Sequence, residues 1–114
     1  MTKFMFLFRG EASPHASPSP EQMEQTMKKW MGWMDSLKKN GHMEKGGERL
    51  HATGKVVRGK AKGVTDGPYV EVKDSIQGYL LIEAEDMNQA VELSKGCPGL
   101  ESDGSVEIRP IFAM

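Results

Sequence analysis

The chain lacks several things, and each shortage excludes a class of function. It has one cysteine, Cys97, so no internal disulfide can form, and a reducing cytoplasm is the expected setting. No apolar run approaches the roughly twenty residues of a membrane-spanning helix, and Phe4 to Phe8 is too short for a secretory leader. No membrane role is expected. A surplus of one charge sign is also missing, because 15 Lys and Arg against 16 Asp and Glu give a net charge of -1. Nucleic-acid binding normally needs a clustered basic excess, so no nucleic-acid partner is expected. The one local basic run, Lys55, Arg58, Lys60 and Lys62, is punctuated by Gly59 and Gly63 and reads as a solvated hairpin.

Metal ligands are scarce as well. His42 and His51 have no metal spacing with each other or with Cys97, and His15 sits in a Pro- and Ser-rich loop. Zinc wants three or four organised ligands, so neither a metal nor a cofactor is expected. Gly46-Gly47 lacks the strand-turn-helix setting of a phosphate loop. Cys97 follows a helix end and precedes Pro98, away from the helix N-terminal setting that activates a thiol, and reads as packing.

What is present fits one domain over residues 1–114, able to bury roughly two-thirds of its unfolded surface. Nine methionines suit irregular gaps and adaptable interfaces. Lys3 to Arg9 predicts a strand with Phe4, Phe6 and Phe8 on one face and Met5 and Leu7 on the other. Both are credible core faces, which leaves the side of Arg9 open. A strand apolar on both sides needs cover on both. Gly10 to Pro20, with three prolines, predicts a loop that could serve as a lid.

Ser19 as cap, Pro20 at the first helical position and Gln22 completing a capping box start a helix. Met23, Met27, Trp30, Met34 and Leu37 form its apolar stripe, Trp33 lies at the stripe's edge, and Asn40-Gly41 ends it. Short strands are expected near Glu48 to His51 and Lys55 to Arg58, then a loop over Gly59 to Gly63. Asp66-Gly67-Pro68 is a turn signal, followed by a short alternating run, Val70 to Lys73. Gly78 to Glu83 predicts a strand apolar on both faces. Asp86 caps a second helix with Ala90, Val91 and Ser94 inward, ended by Gly96 to Gly99. The last strand, Ser105 to Phe112, puts Val106 and Ile108 on one face and Glu107, Arg109 and Ile111 on the other. Pro110 places that strand at an edge.

Strand, long helix, central strands, second helix, last strand is the order of an α+β fold. It predicts a ferredoxin-like sandwich, an antiparallel sheet with two helices on one face. The other face would stay bare, so a homodimer with opposed sheets is expected, a dimeric α/β barrel around a partly polar cavity.

Val64-Thr65-Asp66-Gly67-Pro68-Tyr69 with Glu71 and Lys73, then Gly78 to Ala84, Ala90, Cys97-Pro98 and Val106 to Pro110, resemble the landmarks of the DGPF or YCII-related domain family. Tyr69 stands where the family has Phe. The resemblance implies the dimeric barrel and little about activity, because most members have no assigned one. In some relatives a His on the first helix and an Asp near the end of the second are proposed as a catalytic pair. Here Glu21 to Asn40 contains no His and Gly96-Cys97-Pro98-Gly99 contains no Asp, so that pair does not carry over.

Two readings of function stay open. The first is a small-molecule-binding or regulatory homodimer without catalysis. The second is a small enzyme acting on an anionic metabolite, with Asp66 as acid or base and Arg109 or Arg9 as the anion clamp. Asp66 can equally cap its own turn, and Glu107 and Arg109, two apart on one strand, can simply pair. The candidate ligand contacts are Arg9, Trp33, Tyr69, Glu71, Glu107 and Arg109.

Overall fold

A computed structural model of the chain describes residues 1–10, 19–67 and 74–113. The elements are β1 (Thr2–Gly10), α1 (Pro20–Lys39), β2 (Gly54–Arg58), β3 (Gly63–Gly67), β4 (Ser75–Ala84), α2 (Met87–Ser94), a short 3-10 helix (Pro98–Glu101) and β5 (Ser105–Pro110). β1 lies between β4 and β5 in an antiparallel sheet, and among the described residues β2 pairs only with β3 in a separate two-stranded sheet. β5 is an edge strand, as Pro110 requires. Its pairing runs one residue further, since Ile111 N donates to Lys3 O at 2.9 Å. Phe112, assigned to the strand from sequence, lies beyond it and is 92% exposed.

The opposite edge, along β4, is occupied by the segment around Gly46 to Leu50. The strand expected at Glu48 to His51 is there reduced to two isolated bridges, Gly46 to Leu81 and Arg49 to Gly78. The approach is close: a Cβ on Gly78 would lie 2.8 Å from Glu48 O, and one on Gly47 would overlap the Tyr79 carbonyl. Only glycine lets two backbones meet at that separation.

α1 starts as its local sequence dictates. The Ser19 side chain accepts from Gln22 N at 3.2 Å, and the Gln22 side chain accepts from Ser19 N at 3.0 Å. Both helices lie on the Phe4, Phe6 and Phe8 side of the sheet, where Leu37, Leu80, Ile82 and Ala90 complete a buried core. Phe6 is fully buried and its transfer from water stabilises the fold by about 1.5–3 kcal/mol. Its ring stacks on Trp33 at 6.2 Å, and Phe8 meets Trp30 edge-on at 5.0 Å.

The apolar stripe of α1 is core only in its second half. Residues 20–29 are all exposed, Met23 and Met27 among them, so the first half of the helix runs past the packed part of the sheet. α2 matches its expectation: Asp86 Oδ1 accepts from Gln89 N at 2.8 Å, and Ala90 and Ser94 are buried.

Register settles the two faces of the sheet. Met5 stands between Leu81 and Arg109, and Leu7 between Tyr79 and Glu107. These two rows form the face that carries no helix among the described residues. The Asp-Gly-Pro reading needs correction at its first two residues. Asp66 and Gly67 are strand, paired with Lys55 and Gly54, because β2 supplies the ladder partners that a turn would have left unused. The hairpin loop at 59–62 is as expected, with Gly59 at φ 60 and Lys62 at φ 56. The loop reading for residues 11–18, with His15, and the strand reading for Val70 to Lys73 fall outside the described residues.

Candidate functional site

Alternation along β1 and β5 brings three of the expected site residues together on the face without helices. Arg9 Nε donates to Glu107 Oε1 at 2.8 Å, and Arg109 Nη1 donates to Glu107 Oε2 at 3.3 Å. Arg9 Nη1 also donates to the Asp74 carbonyl at 2.8 Å. The Arg9 hydrogen bond, then that of Arg109, holds the Glu107 carboxyl below the usual carboxylate range. Two guanidiniums share one carboxylate, which leaves the cluster one positive charge, with Arg109 the more exposed of the two.

The other expected residues lie elsewhere. Trp33 is on the helix-covered face, where its Nε1 donates to Leu93 O at 3.2 Å and ties α1 to α2. Asp66 is on the two-stranded sheet, in a cross-strand ion pair with Lys55; the two side chains are 85% and 69% exposed. Tyr69 and Glu71 lie outside the described residues. His42 is structural: its backbone carbonyl accepts from Glu83 N at 2.7 Å, and its Nδ1 lies 2.9 Å from Glu83 O, which can only accept. Among the described residues no cluster of His, Cys, Asp or Glu could hold a metal ion, and no helix is long and apolar enough to cross a membrane.

A cavity of about 280 Å³ opens at the end of β1, near the lower limit of ordinary ligand pockets. Phe8, Trp30, Cys97 and Gly99 give it an apolar wall, and Gln77 and Asp103 stand among the polar residues around it. It lies between α1 and the end of α2, the two elements on which the family resemblance looks for a His and an Asp. The first supplies Trp30, and Cys97 follows the second by three residues. Burial pushes the Cys97 thiol up, against weaker hydrogen bonds from the Gly99 and Leu100 backbone, so at neutral pH it is a poor nucleophile.

Sequence reading missed Trp30, Gln77 and Asp103 as neighbours. Trp30 reads from sequence as a member of the core stripe, and nothing local links it to the Ser102-Asp103-Gly104 turn. Gln77 carries no sequence signal, because its place depends on a shift in pairing between Phe8–Gly78 and Arg9–Ile76. The extra residue on β4 is a bulge, and a bulge re-aims side chains.

An antiparallel α+β sheet with both helices on one face, its fourth strand position held by an irregular segment, defines a ferredoxin-like domain. The YCII-related domain profile matches residues 3–114. The chain belongs to the YCII-related domain family. A search of curated proteins returns no match. Among solved structures, the 5-chloro-2-hydroxyhydroquinone dehydrochlorinase TftG from Burkholderia phenoliruptrix AC1100, in complex with 2,5-dihydroxybenzoquinone, is similar over 94% of this chain and 90% of its own, at 14% identity and a TM-score of 0.45.

Proposed function

We propose that this YCII-related chain is a cytoplasmic homodimer that binds a small molecule in the cavity beside Trp30, without the acid–base pair suggested for some relatives. One observation carries the reading. Where α1 meets the end of α2, the cavity presents an aromatic ring and a buried, hard-to-ionise thiol. Such a wall holds a ring by contact, and neither the indole nor the protonated thiol is a general base. The dimer is supported by the rows Leu81–Met5 and Tyr79–Leu7, which leave apolar side chains on a face that no helix covers.

The test is native mass spectrometry of the purified protein beside a Gly99→Leu variant. A Cβ on Gly99 would meet Cys97 Sγ and the Trp30 ring at an ordinary 3.5 Å, so a larger side chain fills the cavity without displacing backbone. The expected result is a dimer with a small adduct in the parent protein and a dimer without it in the variant. A monomer in both would remove the dimer, and an adduct that survives Gly99→Leu would remove the cavity as its site.

A second reading is favoured by the Arg9–Glu107–Arg109 cluster. Its residual positive charge suits a small anionic ligand on the uncovered face, with Arg109 as the clamp. Asp66 would then be the acid or base, carried there by a partner's hairpin. Turnover of an anionic metabolite, abolished by Asp66→Asn with the fold unchanged, would put this reading first. Turnover that survives Asp66→Asn would remove Asp66 from the chemistry.

A further inference from the structure

We infer that the cavity at the end of β1 takes a single-ring aromatic molecule whose polar end is a hydrogen-bond donor or a cation rather than a carboxylate. This rests on the binding role proposed above and names the class of ligand. The ring half follows from the wall. Trp30 is half-buried and edge-on to Phe8, Cys97 is buried, and Gly99 keeps its stretch of wall free of side chain. An apolar cavity of roughly 150 Å³ can hold benzene, so about 280 Å³ admits one ring with a short substituent.

The polar half follows from which groups around the cavity are already engaged. Arg9 is the cation there, its charge is met by Glu107 through Nε, and an Nη1 proton goes to the Asp74 carbonyl. Ser102 Oγ donates to Gly99 O at 3.1 Å, which uses its only proton. The Asp103 carboxylate has no hydrogen bond or ion pair among the described residues, and a carboxylate only accepts. The Gln77 amide can donate or accept, so what decides is the one charge around the cavity left without a partner among the described residues, the negative charge of Asp103. A donor or an ammonium is matched there, and a carboxylate would face Asp103.

The test is a titration of 15N-labelled protein with three congeners of one ring: 4-hydroxyphenethylamine, 4-hydroxyphenethyl alcohol and 4-hydroxyphenylacetate. The indole Nε1–H resonances are followed, with the Trp33 peak identified in a Trp33→Phe variant. The Trp30 resonance is expected to shift while that of Trp33, bonded to Leu93 O, stays in place. The amine is expected to bind about fivefold more tightly than the acetate, the scale of an exposed charge pair. Asp103→Asn, at an exposed position, is expected to remove that preference and leave the affinity of the alcohol unchanged. If the acetate binds as tightly as the amine, the donor class is wrong and the cavity's binding role stands. If none of the three moves the Trp30 resonance, the aromatic class is overturned, and the adduct comparison with Gly99→Leu still judges whether the cavity binds anything.

Discussion

The two faces of the three-stranded sheet are built from the same strands, and they differ in what covers them. On one, Phe4, Phe6, Leu80 and Ile82 are sealed by α1 and α2. On the other, Met5, Leu7 and Tyr79 are half-buried, Leu81 is exposed, and the Arg9–Glu107–Arg109 cluster lies among them. The difference teaches that apolar content alone does not mark a core. The face with helices is a finished interior, and the other mixes aliphatic rows with a partly neutralised charge cluster, as an interface between subunits does.

Substitutions on each face sharpen the contrast. Phe6→Ala is expected to cost about 3–5 kcal/mol in urea unfolding, at any protein concentration, because it opens a cavity in a closed core. Leu7→Ala is expected to cost far less in dilute solution, with a penalty that depends on concentration. Equal, concentration-independent costs would mean that both faces are sealed within one chain. Next in size is Gly78→Ala, which drives a Cβ against Glu48 O and should cost roughly 2 kcal/mol. A neutral result there would show that the 46–50 segment is not held against β4.

Leu81→Lys acts on the uncovered face alone. It is expected to change the stability of the isolated chain by less than about 0.5 kcal/mol and to convert the proposed dimer to monomer in sedimentation velocity. A dimer that tolerates a lysine there assembles through another surface. Smallest is Glu107→Gln. The Glu107 carboxyl is held below its unfolded value, so its contribution is present above about pH 4.3 and is lost as pH falls through the folded value. The variant should therefore show a flatter dependence of Tm on pH in acid. An unchanged slope would mean the two guanidiniums do not hold the carboxylate in solution.

What sequence could reveal followed the range of the interactions involved. The caps at Ser19 and Asp86 are complete within four residues, so both helix starts were legible, and alternation sorted Val106 and Ile108 from Glu107 and Arg109. The side of Arg9 was not, because both faces of β1 are apolar and only the coverage by distant helices separates them. Asp66 read as a turn residue since its own neighbours favour one, whereas its ladder partner, Lys55, lies across the hairpin. The cavity was invisible for the same reason. Its wall joins the middle of α1, a bulge in β4 and the turn before β5, which meet only once the sheet has formed.

The separateness of β2 and β3 has a consequence for time. The central strand β1 is paired on both sides and opens only when the core around Phe6 is breached, whereas the hairpin's ladder bonds are shared between two strands whose side chains are nearly all exposed. A lone hairpin in water is marginally stable, so its amides should exchange with deuterium through a local opening long before those of Phe4 to Phe8. The chain thus carries two clocks. Slowing of the hairpin's clock alone, on assembly or on addition of a ligand, would report what Lys55 to Asp66 touch without any change in the clock of the core.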